Sequence, residues 1–290
     1  MELEILRNIQ SIANPFLDIL FQLITICGEQ MVLVLIISII YWVKDKKFGE
    51  YIAYAVLTSV LVNCVVKDIF KFKRPIGEEG IRTLREKTAT GYSFPSGHTQ
   101  GAGSFYGAMA IYIKKKVMYI IAIIMIILIG FSRLYLGVHY PKDVIVGGIL
   151  GVLISYICYN IYNKYENKIM VYTITFIIFL PALTFAHSED FIKGLGAYFG
   201  FLIGMFIEKR YVNFSAEGKG INKVIRVVIG VLILLCLQKG LKIVLPSEAI
   251  FSFIRYSIIS IFGIGIYPMM FKKLKIIFNN LPGIIFTTII

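Results

Sequence analysis

Residues 117–133 of the chain read VMYIIAIIMIILIGFSR, an apolar run that ends in a serine and an arginine. Crossing the hydrocarbon core of a bilayer takes a helix of about 20 mostly apolar residues. Runs of this kind recur from one end of the chain to the other, and the 290 residues are 58% hydrophobic and only 16% charged, with a mean hydropathy of +0.79. This pattern predicts an all-α integral membrane protein, a polytopic bundle of transmembrane helices.

The apolar runs predict about nine membrane spans, which lie near residues 22–43, 50–70, 96–113, 117–133, 143–162, 169–186, 191–207, 224–244 and 250–271. Connections rich in lysine and arginine tend to stay on the cytoplasmic side of a membrane. Five connections are basic in this way, at residues 44–47, 114–116, 164–168, 208–226 and 272–275. Placing them in the cytoplasm puts the amino terminus outside. Residues 276–290 are interpreted as an interfacial tail.

The chain carries a formal net charge of +13. Most of its lysines and arginines stand between the apolar runs, where they orient the protein in the membrane, so nucleic acid is not expected as a partner. Seven basic residues from Lys67 to Lys87 break this pattern, because they lie in or before a loop on the predicted outer face. Binding of an anionic substrate would explain them. The four cysteines lie far apart in apolar stretches, which indicates core packing and neither disulfides nor a metal site.

The first of three polar clusters reads Lys67-x6-Arg74-Pro75. A separation of seven residues keeps two side chains on one face of a helix. Pro75 disfavours helix at Arg74, so this guanidinium is expected just beyond the helix end, where it can bend over a site. Arginine matches phosphate oxygens with a planar fork and lysine acts as a point charge. The alternative is a pair of cations that merely extend to the membrane surface.

The second cluster, Pro95-Ser96-Gly97-His98, is expected to begin the third span. Free backbone N–H groups at a helix start bind anions, and a glycine lets a phosphate approach closely. The Ser96 hydroxyl adds a donor, and His98 faces the substrate from the first turn. An ordinary junction between a loop and a helix is the alternative.

The third cluster, Ser132-Arg133-x5-His139-x3-Asp143, closes the fourth span and opens the fifth. Arg133 supplies a third cation. Pro141 suits the first turn of a helix, and Asp143 follows within that turn. The carboxylate can then hold one imidazole nitrogen of His139 and leave the other free to attack, as in covalent catalysis. A purely structural contact between His139 and Asp143 is the alternative.

Taken together, residues 67 to 143 resemble the three-part signature of the type 2 phosphatidic acid phosphatase superfamily. The resemblance implies a six-helix catalytic core, which we expect at residues 50–207. Residues 1–49 then form an N-terminal segment with the first span, and residues 208–290 form the last spans and the tail. The span count and external amino terminus are similar, more weakly, to the branch that holds glucose 6-phosphatase and the sphingosine phosphate phosphatases.

The resemblance implies that His139 attacks phosphorus, Asp143 orients it, and His98 protonates the leaving oxygen and then activates water. The phosphate would be bound by Lys67, Arg74, Ser96, Gly97 and Arg133. No metal or other cofactor is expected, because the fixed cations stabilise the charge of the transition state. The expected substrate is a lipid phosphate or diphosphate, for example phosphatidate, phosphatidylglycerol phosphate, undecaprenyl diphosphate or a sphingoid phosphate.

The site is expected at the extracytoplasmic face of the plasma membrane, and the sequence leaves the oligomeric state open. Glu29, a carboxylate inside the first predicted span, either pairs with a site cation such as Lys67, helps to shape the pocket, or reaches interfacial water. Residues 76–94 are either a lid or a solvated loop.

Three other functions stay open: a phosphotransferase with the same intermediate, a soluble sugar phosphate phosphatase, and a non-enzymatic lipid transporter. Charges clustered at one interface disfavour the transporter.

Overall fold

Every regular element in the described part of the chain, residues 1–218 and 220–271 of this computed structural model, is helical. The eleven α-helices there are α1 Glu2–Gln10, α2 Pro15–Ile26, α3 Gln30–Ile39, α4 Lys46–Phe70, α5 Gly97–Ile113, α6 Lys116–Tyr135, α7 Pro141–Lys164, α8 Lys168–Phe179, α9 Glu189–Ile207, α10 Gly220–Val244 and α11 Ala249–Ile261. The predicted all-α class is thus confirmed for these residues. The proposed tail at residues 276–290 lies outside them.

Six helical segments in the described residues are long and apolar enough to cross a membrane, namely Lys46–Phe70, Lys116–Tyr135, Pro141–Lys164, Glu189–Val212, Gly220–Val244 and Ala249–Met269. Helices α1 and α2 would together add a seventh if they form one span, although the chain bends by 119° between them. Helices Gln30–Lys44 and Lys168–Thr184 are apolar but shorter, and α5 has 17 residues. Nine full-length spans are therefore not established by length and composition.

The first predicted span, residues 22–43, is not one helix. Helix α2 ends at Ile26, a turn occupies residues 27–29, and α3 begins at Gln30. The prediction of one continuous span was wrong because hydrophobicity alone does not indicate a turn at residues 27–29. This turn places Glu29 at a helix junction.

The chain divides into two compact units. One contains Met1–Ile37 and Glu50–Leu195, and the other contains Ser38–Gly49 and the described residues from Gly196 on. All the residues of the three clusters belong to the first unit. The division into segments 1–49, 50–207 and 208–290 stays a prediction.

In the first unit, glycines allow helices α5 and α7 to pack closely. A Cβ atom added at Gly151 would lie 2.3 Å from the Gln100 carbonyl oxygen, and one added at Gly147 would lie 2.8 Å from the Ser96 carbonyl oxygen. Small residues permit such close approach between helices in membranes. The close packing brings the amino-terminal ends of both helices together, and these ends carry the second and third clusters.

Helices α1 and α2 anchor the loop that joins α4 to α5. Arg7 donates to the Glu79 carbonyl oxygen at 2.7 Å, and Gln10 donates to the Arg82 carbonyl oxygen at 2.7 Å. Arg82 in turn makes a two-bond ion pair with Asp18, with N–O distances of 2.7 and 2.6 Å. A bidentate pair of a guanidinium with a carboxylate fixes the orientation of both groups. The amino-terminal helices and the loop therefore form one side of the first unit.

In the second unit, Trp42 is 1% exposed, and its indole N–H donates to the Gly263 carbonyl oxygen at 2.9 Å. Its ring packs against Tyr267 with 4.9 Å between centroids. The Glu208 carboxylate is buried and accepts from Lys46 at 2.7 Å. A buried carboxylate of this kind needs such a partner to offset the loss of water.

Candidate active site

Local helix signals place each cluster as the sequence predicts. Helix α4 ends at Phe70, and Lys71 adopts a left-handed φ of 54°, so Arg74 lies beyond the helix. Helix α5 begins at Gly97 with Ser96 as its N-cap, and α7 begins at Pro141 with Asp143 in its first turn.

The structure joins the second and third clusters directly. The Ser96 N–H donates to the Asp143 carbonyl oxygen at 2.9 Å. The start of α5 is thereby linked to the start of α7. The two are too far apart in sequence for helix-capping rules to predict this contact.

His139 is held at both ring nitrogens. Its Nδ1 lies 3.3 Å from Asp143 Oδ2, and its Nε2 lies 2.9 Å from Arg74 Nη1. A guanidinium can only donate, so Nε2 accepts and the ring proton belongs on Nδ1, facing the carboxylate. The lone pair of Nε2 therefore points away from Asp143 and toward the cations, which is the geometry of an oriented nucleophile.

Asp143 is fully buried, and its Oδ2 accepts three contacts. The Tyr140 N–H donates at 2.9 Å, the Ser93 hydroxyl donates at 2.5 Å, and His139 Nδ1 is the third. Ser93 is also buried, and its hydroxyl oxygen lies 3.4 Å from His139 Nδ1. Ser93 therefore holds the same carboxylate oxygen that orients the imidazole.

The pKa of His139 lies well below its ordinary value. Burial is the main cause, followed by the positive charges of Arg74, Lys67 and Arg133, with a smaller effect of His98. The imidazole is consequently neutral at neutral pH. The same causes indicate that cations from the first and third clusters surround this ring.

Arg74 and Lys67 donate to carbonyl oxygens of one loop segment. Arg74 Nε donates to Gly91 at 3.0 Å and Nη2 to Thr90 at 2.6 Å, while Nη1 reaches the Val138 carbonyl at 2.9 Å. Lys67 donates to the carbonyls of Tyr92 and Ser93. Burial lowers the pKa of Arg74 to about 10, so it remains a cation at pH 7. Residues 90–93 thus hold these two cations beside His139.

Ser96 and Gly97 form the predicted helix start. The Ser96 hydroxyl oxygen accepts from the Thr99 hydroxyl at 3.0 Å and from the Thr99 N–H at 3.5 Å, so its own proton is still available to another acceptor. A Cβ added at Gly97 would meet only Asn63 Oδ1, at 3.4 Å. Protein packing therefore does not require glycine at this position, and its role in letting an anion approach stays a prediction.

His98 and Arg133 both contact the α2 end of the first unit. Arg133 is fully buried, and its Nη1 donates to Thr25 Oγ1 at 2.9 Å. A Cβ added at Gly28 would lie 3.2 Å from the His98 carbonyl oxygen. Within the described residues no group accepts from Arg133 Nε or Nη2, and none pairs with His98 Nε2. A buried donor without a partner costs about 1–3 kcal/mol, so these atoms are candidates for a bond to water or to an anion.

Glu29 does not pair with Lys67. Its Oε1 accepts from Arg85 Nη2 at 2.5 Å, and the two side chains are 26% and 23% exposed. The expected partner was wrong because the break at residues 27–29 turns Glu29 toward the loop of residues 76–94. The neighbouring Gly28 packs against the His98 carbonyl oxygen, and the predicted place of Glu29 at the pocket stays a prediction.

Two contributors were not found from the sequence. Ser93 stands outside the signature, and its bond to Asp143 spans 50 residues. Thr25 lies in an apolar helix, 108 residues from Arg133. The only local signal for Ser93 is a polar residue three positions before the helix cap, which is too common to interpret.

Comparison with known proteins matches two segments of the chain to models of one family. The PAP2 superfamily model matches residues 49–167, and the model described as PAP2 superfamily phosphatase, transmembrane extension, matches residues 192–279.

Two curated relatives illustrate the similarity. An undecaprenyl-diphosphatase of Sulfolobus acidocaldarius is 33% identical over 41% of this chain, which covers 57% of that protein. Phosphatidylglycerophosphatase B of Bacillus subtilis is 31% identical over 50% of this chain, which covers 75% of that protein. The chain thus spans little more than half the length of the first relative.

A crystal structure described as the first transmembrane PAP2 type phosphatidylglycerolphosphate phosphatase from Bacillus subtilis is 28% identical. The match covers 57% of this chain and 85% of that one, with a TM-score of 0.49. The two family models and the 31% identical relative carry the assignment. The chain belongs to the PAP2 superfamily.

Proposed function

We propose that the protein is a membrane phosphatase that hydrolyses a lipid phosphate or diphosphate through a phosphohistidine at His139. One observation carries this proposal: His139 Nε2 lies 2.9 Å from the Arg74 guanidinium while Asp143 holds Nδ1. A neutral imidazole with its lone pair directed at a group of fixed cations suits attack on an anionic phosphorus.

In the first step, Nε2 of His139 bonds to phosphorus, and the bond from phosphorus to the leaving oxygen breaks with its electron pair on that oxygen. His98 donates a proton to the leaving oxygen. Lys67, Arg74 and Arg133 neutralise the phosphoryl oxygens together with the Ser96 hydroxyl and the Gly97 N–H. Phosphate oxygens compete with the carbonyls of residues 90–93 for the donors of Arg74 and Lys67.

In the second step, His98 accepts a proton from water as its oxygen attacks the phosphohistidine. The bond between nitrogen and phosphorus breaks, inorganic phosphate leaves, and neutral His139 is restored. Asp143 stabilises the positive charge on the ring between the two steps. No metal takes part, because the cations supply the electrostatic stabilisation.

We also propose that the site faces the extracytoplasmic side of the plasma membrane, within a chain of nine spans that starts outside. The five basic connections placed in the cytoplasm support this orientation. The basic residues between Lys67 and Lys87 are the exception on the outer face, and binding of an anionic substrate accounts for them. A substrate with an acyl or prenyl tail would then lie in the outer leaflet with its phosphate at the depth of His139.

A panel of phosphate-release assays tests the function. Purified protein in detergent with a chelator is given phosphatidate, phosphatidylglycerol phosphate, a prenyl diphosphate, a sphingoid phosphate and glucose 6-phosphate. Release from lipid substrates without an added acceptor supports the phosphatase. Phosphate that appears on an added second lipid or sugar, without release of inorganic phosphate, would indicate a transferase. Release from the sugar phosphate alone would indicate a soluble-substrate enzyme, and neither product from any substrate would favour a transporter.

Ser93 should act as a positioning residue. We expect Ser93→Ala to lower kcat about tenfold with little change in KM, because Asp143 Oδ2 loses a charge-assisted hydrogen bond and holds His139 less firmly. Ser93→Thr keeps the hydroxyl and should recover most of the activity. Wild-type kcat in the alanine variant, or an equal loss in the threonine variant, would remove Ser93 from the mechanism.

The acid limb of the pH profile should report His139. Its pKa is lowered, so kcat/KM should hold as pH falls through about 6.5 and decrease only when the ring is protonated at lower pH. Arg74 is the largest charge contribution to this shift, so Arg74→Gln should move the limb toward higher pH, besides lowering activity. Profiles of both proteins on one substrate make the comparison, because ionisation of the substrate is common to both. An unmoved limb would contradict the assignment.

A further inference from the structure

We propose that Arg85, held in place by Glu29, binds the second phosphate of a lipid diphosphate and makes the enzyme prefer diphosphates to monophosphates. This inference rests on the proposed phosphatase function and names its substrate class. It assigns a role to a cation and a carboxylate that lie outside the three clusters.

The turn of residues 27–29 gathers the groups that would form this subsite. Glu29 in the turn accepts from Arg85 at 2.5 Å, and Gly28 packs on the first turn of α5 beside the His98 carbonyl. Thr25, one helical turn earlier, accepts from Arg133 at 2.9 Å. Arg85, Arg133 and His98 therefore border one short segment of the chain.

The cations around the site fall into two groups. Beside His139, Arg74 and Lys67 donate to backbone carbonyls of the loop and of Val138. Beside His98, the described residues offer no acceptor to Arg85 Nε or to Arg133 Nε and Nη2. The group near His98 therefore has buried N–H donors that an anion could accept from. Glu29 orients the Arg85 guanidinium through Nη2 and leaves Nε without a bond to it.

Arg133 takes part in binding the terminal phosphoryl group, so we assign Arg85, the other cation of this second group, to the leaving side of the reaction. His139 Nε2 attacks the terminal phosphorus, and the bond to the bridging oxygen breaks on the side of His98. The electron pair stays on the bridging oxygen, so a lipid monophosphate leaves, and water later releases the terminal phosphate from His139. In a diphosphate the leaving group is itself an anion, which Arg85 neutralises. In a monophosphate the leaving group is an alcohol, which needs only the proton from His98.

Matched substrates test the proposal. Farnesyl diphosphate and farnesyl monophosphate share one prenyl chain, so their ratio of kcat/KM isolates the second phosphate. We expect the wild type to favour the diphosphate at least about tenfold, and Arg85→Gln to lose about 100-fold on the diphosphate and less than about threefold on the monophosphate. Arg85→Lys, which keeps the charge but not the fork, should lie between.

Arg82→Gln is the control, because Arg82 lies on the same loop but pairs with Asp18. It should leave the ratio of the two substrates unchanged. Equal losses on both substrates in Arg85→Gln and Arg85→Lys, no loss in either, or a wild type that prefers the monophosphate would overturn the role of Arg85 while the phosphatase function stands. A wild type that releases phosphate from neither would overturn both.

Discussion

Replacing His139 by alanine is expected to abolish phosphate release, with a loss of at least about 10⁴-fold in kcat. The variant lacks the nitrogen that bonds to phosphorus. Among the described residues, His139 is the side chain whose ring contacts both Arg74 and Asp143. The measurement is inorganic phosphate released from a lipid diphosphate in detergent with chelator. Brief incubation with a substrate labelled in its terminal phosphate should also trap an acid-labile phosphoenzyme in the wild type and none in the variant.

His187→Ala is the matched control, since His187 is the third histidine of the chain and is exposed in the short segment before α9. It should retain wild-type turnover and labelling. Substantial turnover by purified, monodisperse His139→Ala protein would contradict the phosphohistidine mechanism. Labelling that survives in that variant would place the covalent intermediate elsewhere.

Asp143→Asn is expected to lower kcat by about 10²–10⁴-fold while the protein stays folded. An asparagine amide can donate to Nδ1, which would place the ring proton on Nε2 and remove the lone pair that attacks phosphorus. That donation requires the amide NH2 at the position of Oδ2, where the Tyr140 N–H also donates, so the helix cap at the start of α7 should weaken by about 0.5–2 kcal/mol. Turnover and a thermal melt of the same preparation check both parts of the expectation.

Asp68→Asn provides the comparison for Asp143→Asn. Asp68 is also a buried carboxylate, and it accepts from the Ser188 hydroxyl at 2.7 Å, outside the His139 network. It should lower activity far less than Asp143→Asn. Near-wild-type kcat in Asp143→Asn would show that the carboxylate does not orient the nucleophile.

Much of the site was predictable because its parts obey local rules. Arg74 precedes Pro75 and lies beyond α4, Ser96 caps α5, and Pro141 begins α7 so that Asp143 reaches His139 four residues earlier. Each of these depends on residues within one or two helical turns. The spans were predicted less well, because hydropathy alone did not reveal the turn that separates α2 from α3.

The helical membrane class, the starts of α5 and α7, and the pairing of His139 with Asp143 follow from the amino-acid sequence, because apolar runs and helix capping act over a few residues. The bond from Ser93 to Asp143 and the pair of Arg85 with Glu29 arise on folding, since they join residues that are 50 and 56 positions apart. Such contacts depend on how closely α5, α7 and the α2–α3 turn pack, and therefore on glycines whose role appears only when their neighbours are in place.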